Sequence, residues 1–373
     1  MKTADFDYNL PPELIAHAPA DQRDHSKLLI LGCANKTIEH KHFYEILDHL
    51  LPGDLLVLNN TKVLPANLIG TKEAFPDLSG EVRAGAKIEV LLVKRSSSLA
   101  EARHPEIWEC LVKPGKRLNV GSRIIFGKGE LIATVLEKTE SGEQILKFDG
   151  DLFAYMHEHG GIPLPPYVKP SQAKNKLDER YQTVFAKNEG ASAAPTAGLH
   201  FTPELLKRVE AKGVKVAFVT LHTGLATFKP VYAENVEDHK MYFEEFEVPA
   251  STFQALKAAK RVIAVGTTSV RTLEAVADLI EEKCYKNEGH KGQTNLFIYP
   301  GYKFKCVDAL ITNFHWPKTS LLMLVSAFVQ NLLMKKDPKT DPDSGRKLML
   351  RAYEEAIKNK YRFFSFGDAM LIE

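Results

Sequence analysis

Residues 261–282 read RVIAVGTTSVRTLEAVADLIEE, and the way this stretch divides decides the fold. RVIAV is a short, continuously apolar run, the texture of a strand covered on both faces in a parallel sheet. Gly266-Thr267-Thr268-Ser269 interrupts it, and VRTLEAVADLIEE then carries apolar residues at helical spacing. The pattern recurs along the chain. VDALIT leads into Asn313-Phe314-His315 and a helix expected over 320–333, VKVAFVTL ends in His222-Thr223-Gly224, and LLVLNNT closes on Asn59, Asn60 and Thr61. Strand, polar loop and helix in repetition predict α/β construction. No fixed-period repeat accompanies it.

Between these units the texture changes. KIEVLLVKR, IWECLVKP, RIIFGKGELIATVLEK and QILKFDG alternate apolar and polar residues and are separated by glycine turns. Period-two runs at that spacing predict a small all-β barrel or sandwich. The expected organisation is an α/β domain formed by 1–61 and 152–373, interrupted by an inserted β-barrel domain over 62–151. A helix is expected at LFAYMHEHG, at the start of the second α/β segment. The polar segments 282–294 and 335–347 are expected to be surface loops. The apolar ending YRFFSFGDAMLIE is expected to dock as a final strand or turn.

With 49 Lys and Arg against 47 Asp and Glu, the net charge of +2 gives no global field for a nucleic acid. An RNA partner would need a local basic patch. The best candidates are 169–187 and 335–362. Within the first, Arg180 and Tyr181 are candidates to meet a phosphate or a stacked base. The four cysteines, Cys33, Cys110, Cys284 and Cys306, are scattered without a CxxC pair, which suits reduced thiols and argues against a zinc site. The N-terminus has no apolar signal region, and the longest apolar run falls well short of a membrane span. A cytoplasmic protein is expected, with neither metal nor membrane. GxGxxG, Walker A, GxSxG and HExxH motifs are all missing, which counts against dinucleotide, nucleoside-triphosphate, serine-hydrolase and zinc-protease chemistry.

Residues 190–206, GASAAPTAGLHFTPELL, deliver a lone histidine, His200, to a helix start. Thr202 is placed to cap that helix, with Pro203 in its first turn and Glu204 at its positive end. In open α/β sheets ligands bind beyond the carboxyl ends of strands. Four candidate strands here end in polar clusters. Gly224 and Gly266 permit close backbone approach, and the helix start at Thr267, Thr268 and Ser269 leaves N–H groups for an anion, unless these hydroxyls simply cap the helix. Arg271, a cation in the first turn of that helix, opposes the dipole, which suggests a negative partner. His239 and Glu244 form a possible acid/base pair.

The chain resembles the S-adenosylmethionine:tRNA ribosyltransferase-isomerase family, on motifs spread along nearly its whole length. These include DYNLPPELIAHAPA, RDHSKLL, PGDLLVLNNTKVLPA, GIPLPPY, AAPTAGLHF, FVTLHTG, EDHKM, AVGTTSVRTLE, FIYPGY, ALITNFH and KYRFFSFGDAM. The resemblance implies a three-layer αβα domain interrupted by a small β-barrel. It implies S-adenosylmethionine as cosubstrate and a tRNA bearing the queuosine precursor base as partner; a monomer is expected. The implied reaction moves the ribosyl unit onto the 7-aminomethyl-7-deazaguanine wobble base and isomerises it, giving epoxyqueuosine, adenine and methionine. A tRNA-binding protein without catalysis and an RNA methyltransferase are the rival readings. Departures from the family pattern are Thr223 for a usual valine, Ala226 for glycine, Tyr242 for histidine and Asn67 for arginine.

For that chemistry the expected general base is His200 or His222, followed by His315 and His239. Asn313 or Asp368 is expected to assist departure of adenine. The 266–269 segment and Arg271 are the candidates for a carboxylate or phosphate. Asn59, Asn60, Thr61, Thr196, Gly198, Gly224, Gly266, Thr267, Thr268, Ser269 and Asn313 form the expected cosubstrate shell. All of these are expected to meet around one cavity over the open rim of the sheet.

Overall fold

The computed structural model describes residues 1–74, 85–95, 106–139, 142–168, 174–224, 230–281 and 288–373. It divides into two compact units, Met1–Lys62 with Leu164–Glu373, and Val63–Pro163.

The first unit is built on a nine-stranded sheet. From one edge its order is His290–Thr294, Glu244–Val248, Lys215–Leu221, Asp54–Asn59, Arg261–Val265, Ala309–Asn313, Ala369–Ile372, Lys27–Gly32 and Thr37–His42. The four strands from Lys215–Leu221 to Ala309–Asn313 are mutually parallel. Their carboxyl ends therefore open on one edge of the sheet, as the polar strand ends suggested. Antiparallel strands flank them on both sides, so the sheet is mixed.

Strand side chains alternate between the two faces, and both faces are covered. Leu55 and Val57 point into one core with Val270, Leu273, Phe328 and Met349, from the helices Thr267–Ala275, Ser320–Lys336 and Ser344–Lys358. Leu56 and Leu58 point into the other with Phe43, Ala197, Phe201, Leu205 and Val209. That second layer consists of the 3-10 turns Phe43–His49 and Thr196–His200 and the helix Pro203–Ala211. Each large side chain withdrawn from water this way contributes about 1.5–3 kcal/mol. The result is the expected three-layer αβα arrangement.

The second unit is a closed, wholly antiparallel barrel in the order Gln144–Asp149, Glu106–Lys113, Lys87–Arg95, Asn67–Lys72, Arg123–Phe126, Leu131–Lys138. Alternate residues such as Ile88, Val90 and Leu92 fill its interior. The helix Leu152–His159, expected in the α/β domain, instead packs Leu152 and Met156 into this barrel core.

Three further expectations change. Residues 290–294 form an edge strand rather than a loop, and 344–347 open the helix Ser344–Lys358. The expected helix 270–282 is, over its described residues, not continuous: it breaks at Val276 into Thr267–Ala275 and Ala277–Glu281, and 282 lies outside the described residues. The chain end does form a strand, Ala369–Ile372, inserted between Ala309–Asn313 and Lys27–Gly32.

Candidate active site

His200 ends the 3-10 turn Thr196–His200, and the following helix is capped as expected, Thr202 Oγ1 accepting from the Leu205 N–H at 3.1 Å. The imidazole is buried and stacked on Phe43. The side-chain amide of Asn313 lies 3.1 Å from His200 Nε2, and Ser26 Oγ lies 2.7 Å from Nδ1. Asn313 Oδ1 accepts from Thr196 Oγ1 at 2.9 Å, so its Nδ2 is the donor toward His200. Nε2 must then accept, and the proton sits on Nδ1, donated to Ser26. Burial, reinforced by the Arg362 charge, lowers the His200 pKa to about 3. Asp368 is buried alongside, its carboxylate accepting from the backbone N–H groups of Lys27 and Arg362 and from the Arg362 guanidinium. The space beside His200, walled by Arg23, Arg180 and Arg362, measures only about 20 Å³, room for a single water.

A second cluster sits at the ends of the strands Asp54–Asn59 and Lys215–Leu221. Asn59 bonds the backbone of Leu221 through both ends of its amide and also accepts from the Thr61 N–H. Asn60 Oδ1 accepts from Thr220 and Asn188. These two asparagines tie the scaffold together rather than face a ligand. Thr61 Oγ1 lies 2.8 Å from His222 Nδ1, and the ring packs against Gly190. Partial burial lowers the His222 pKa, against the opposing pull of Glu245 and Glu247.

On the other face of the sheet, Arg271 is only 4% exposed. Its Nε donates to the Leu296 carbonyl at 3.1 Å and its Nη1 to Glu244 Oε2, while Nη2 is buried without a partner. The helix begins at Thr267, so Arg271 is its fifth residue and past the first turn; the expected dipole misfit does not arise, and the negative partner of Arg271 is Glu244 of the protein itself. Glu244 Oε1 also accepts from the Gly224 N–H at 3.3 Å. Arg271 and Glu244 form the inner wall of a cavity of about 440 Å³, together with His239, Asp238, Tyr242, Phe297 and Leu324. That volume is in the range of small-molecule sites. His239 stands edge-on to Phe297 at 5.1 Å, and neither ring nitrogen is hydrogen-bonded among the described residues. Partial burial lowers its pKa. Glu244 serves Arg271, so the expected His239–Glu244 pairing is replaced by an Arg271–Glu244 pair with His239 in the same cavity.

His315 lies in neither cavity. It is buried between Thr312 Oγ1 and Tyr353 OH, each 3.3 Å from a ring nitrogen, and burial brings its pKa to about 3. Gly266 takes φ +85° and ψ 152°, and its Cα sits beside Ala197 at the rim. Ser269 Oγ turns back to the Val265 carbonyl, Thr267 is buried, and the buried Thr268 Oγ1 has no partner. Gly198 is held against Phe185 and Thr183, where a Cβ would collide.

The single shared cavity expected from the sequence is thus divided. Thr196, His200, Asn313 and Asp368 meet in one hydrogen-bonded group on one face, with Thr61 and His222 at the neighbouring strand ends. Arg271, Glu244 and His239 meet on the other. Successive residues of a strand face opposite ways, so polar ends that share an edge do not share a pocket. Ser26 and Asp238 escaped the sequence reading; Ser26 lies 174 positions from the histidine it touches. Tyr181 is fully buried against Phe366 and offers no stacking face, and Arg180 donates to the carbonyls of Ala20 and Asp21.

A family profile described as queuosine biosynthesis protein matches residues 3–372. This chain belongs to that family. It is 48% identical to the S-adenosylmethionine:tRNA ribosyltransferase-isomerase of Thermoanaerobacter sp. (strain X514), over 100% of both chains. With the enzyme of the same name from Thermotoga maritima the identity is 47%, again over 100% of both. A crystal structure of S-adenosylmethionine tRNA ribosyltransferase from Thermotoga maritima matches with a TM-score of 0.51 and 38% identity, covering 99% of this chain and 100% of that one.

Within the queuosine biosynthesis family pattern, the departures have local consequences. The Thr223 hydroxyl donates to the Ala193 carbonyl at 2.8 Å, a bond valine would lack. Tyr242 lines the 440 Å³ cavity and is 68% exposed. Asn67 donates to Glu89 in the barrel. Ala226 lies outside the described residues. Among the described residues no three His, Cys, Asp or Glu side chains are grouped to hold a metal ion, and no helix is long and apolar enough to cross a membrane.

Proposed function

We propose that this chain is an S-adenosylmethionine:tRNA ribosyltransferase-isomerase. It transfers the ribosyl unit of S-adenosylmethionine to the aminomethyl group of a 7-deazaguanine at the tRNA wobble position, yielding epoxyqueuosine, adenine and methionine. The observation that carries this reading is end-to-end similarity, at 48% and 47% identity, to two enzymes bearing that name.

The sulfonium acidifies the adjoining 5′ protons, so the first need is a base that is neutral at working pH and has a free lone pair. His200 is a poor candidate because Nε2 already accepts from Asn313 and its pKa is about 3. His315 is poor for the same kind of reason, enclosed by Thr312 and Tyr353. His239, with open ring nitrogens in a cavity of suitable size, is the preferred base, and His222 stands next. The attacking amine, with an ordinary pKa of about 10, must lose its proton before it attacks. Asp238, in the same cavity and not engaged by Arg271, is the carboxylate that would receive it.

The test uses S-adenosylmethionine labelled separately in ribose and methyl, incubated with precursor-bearing tRNA. Ribose label in the tRNA supports the reading. Methyl label would make the protein a methyltransferase, and no label with retained tRNA binding would make it a binder.

A further inference from the structure

We propose that Arg271 and Glu244 form a clamp for a zwitterionic α-amino acid, and that the amino-acid end of the cosubstrate seats at the inner wall of the 440 Å³ cavity. This rests on S-adenosylmethionine being the cosubstrate. A guanidinium has five N–H donors in a planar fork. In Arg271 Nε is taken by the Leu296 carbonyl and Nη1 by Glu244, while Nη2, the nitrogen shared by both edges of the guanidinium, is buried and unpartnered. An orphaned, buried cationic donor is costly unless an acceptor completes it, and a carboxylate oxygen is the acceptor of matching charge. Glu244 in turn accepts from Arg271 and from Gly224, which leaves lone pairs for an ammonium group. Leu296, Ile298, Leu321 and Leu324 add apolar wall to the same cavity. Together they present an anion receptor, a cation receptor and a greasy surface, the three features of an α-amino acid with an apolar side chain.

The probes are L-methionine, its methyl ester and methioninol, titrated calorimetrically against the unaltered protein, so that no variant need fold. L-Methionine is expected to bind and to compete with S-adenosylmethionine. The two analogues lacking the carboxylate are expected to bind about 10- to 100-fold more weakly, the scale of one charge-assisted contact. Arg271→Lys keeps the charge but loses the fork, and is expected to narrow the gap between L-methionine and its ester. Equal affinity for all three probes, or methionine binding without competition, overturns the clamp. Ribose transfer to tRNA with no discrimination among the probes would reject the clamp and leave the enzymatic reading standing. Discrimination without any ribose transfer would do the reverse.

Discussion

Asn313 donates its side-chain amide to His200 Nε2 at 3.1 Å, and this fixes the imidazole as a neutral ring whose one lone pair is occupied. Both His200 and His315 have folded-state pKa values near 3 because of burial, below the ordinary value of about 6.5. Between those limits the unfolded chain binds more protons than the folded one, so stability rises with pH. The contribution is fully present above pH ~6.5 and is lost as pH falls toward 3. Urea denaturation at pH 7.5 and 5.0 should give a lower stability at 5.0, and His315→Phe should flatten that slope. A slope unchanged by His315→Phe would remove this histidine from the effect.

The Arg271–Glu244 pair should behave as a buried ion pair. Glu244→Ala leaves the guanidinium uncompensated and is expected to cost about 3–5 kcal/mol in urea unfolding. Glu244→Gln keeps a hydrogen-bond acceptor and should cost less. A loss below about 1 kcal/mol for the alanine variant is the range of exposed pairs and would contradict the burial argument.

His239 should be separable from the scaffold. It is only partly buried, and its ring makes no hydrogen bond among the described residues. His239→Ala is expected to lower kcat about 10²- to 10⁴-fold, as for loss of a general base, with the melting temperature unchanged. Ser26→Ala, which removes the Nδ1 partner of His200, should show the opposite pattern, a stability loss of about 1–3 kcal/mol.

Gly266 is required for its backbone. Its φ of +85° with ψ of 152° falls in a region essentially reserved for glycine. A Cβ there would find space, the nearest contacts being 3.4 Å to Thr268 Oγ1 and 3.7 Å to Ala197 Cβ. The cost of Gly266→Ala is therefore conformational, about 1–3 kcal/mol. Gly266→Asn should not rescue it, because asparagine is favoured in the left-handed helical region, not in this one. Thermal melts of the two variants test this.

Much of the α/β unit was legible because its central strands are covered on both faces and read as apolar runs: LLVL, RVIAV and ALIT. The edge strands were not. Thr37–His42 and His290–Thr294 carry TIEHKH and HKGQT, polar because their side chains are largely solvated, so nothing in the pattern separates them from loops. The barrel strand Asn67–Lys72 also went unread; Gly70 breaks its alternation where a Cβ would strike Ile124 and Phe126. Residue types at the site were legible, but their grouping was not. Which strand-end residue joins which pocket depends on the odd or even register within each strand, and on partners such as Ser26 that only the fold brings near.

The central claim is that S-adenosylmethionine occupies the cavity walled by His239, Arg271 and Leu321 rather than the narrow space beside His200. Calorimetric binding of S-adenosylmethionine to Leu321→Trp and to Ser26→Ala tests it most directly. The indole should fill the cavity and abolish binding while circular dichroism stays native, and Ser26→Ala should bind within about threefold of the original chain, under 1 kcal/mol. Undiminished binding by folded Leu321→Trp, with loss in folded Ser26→Ala, would contradict the account.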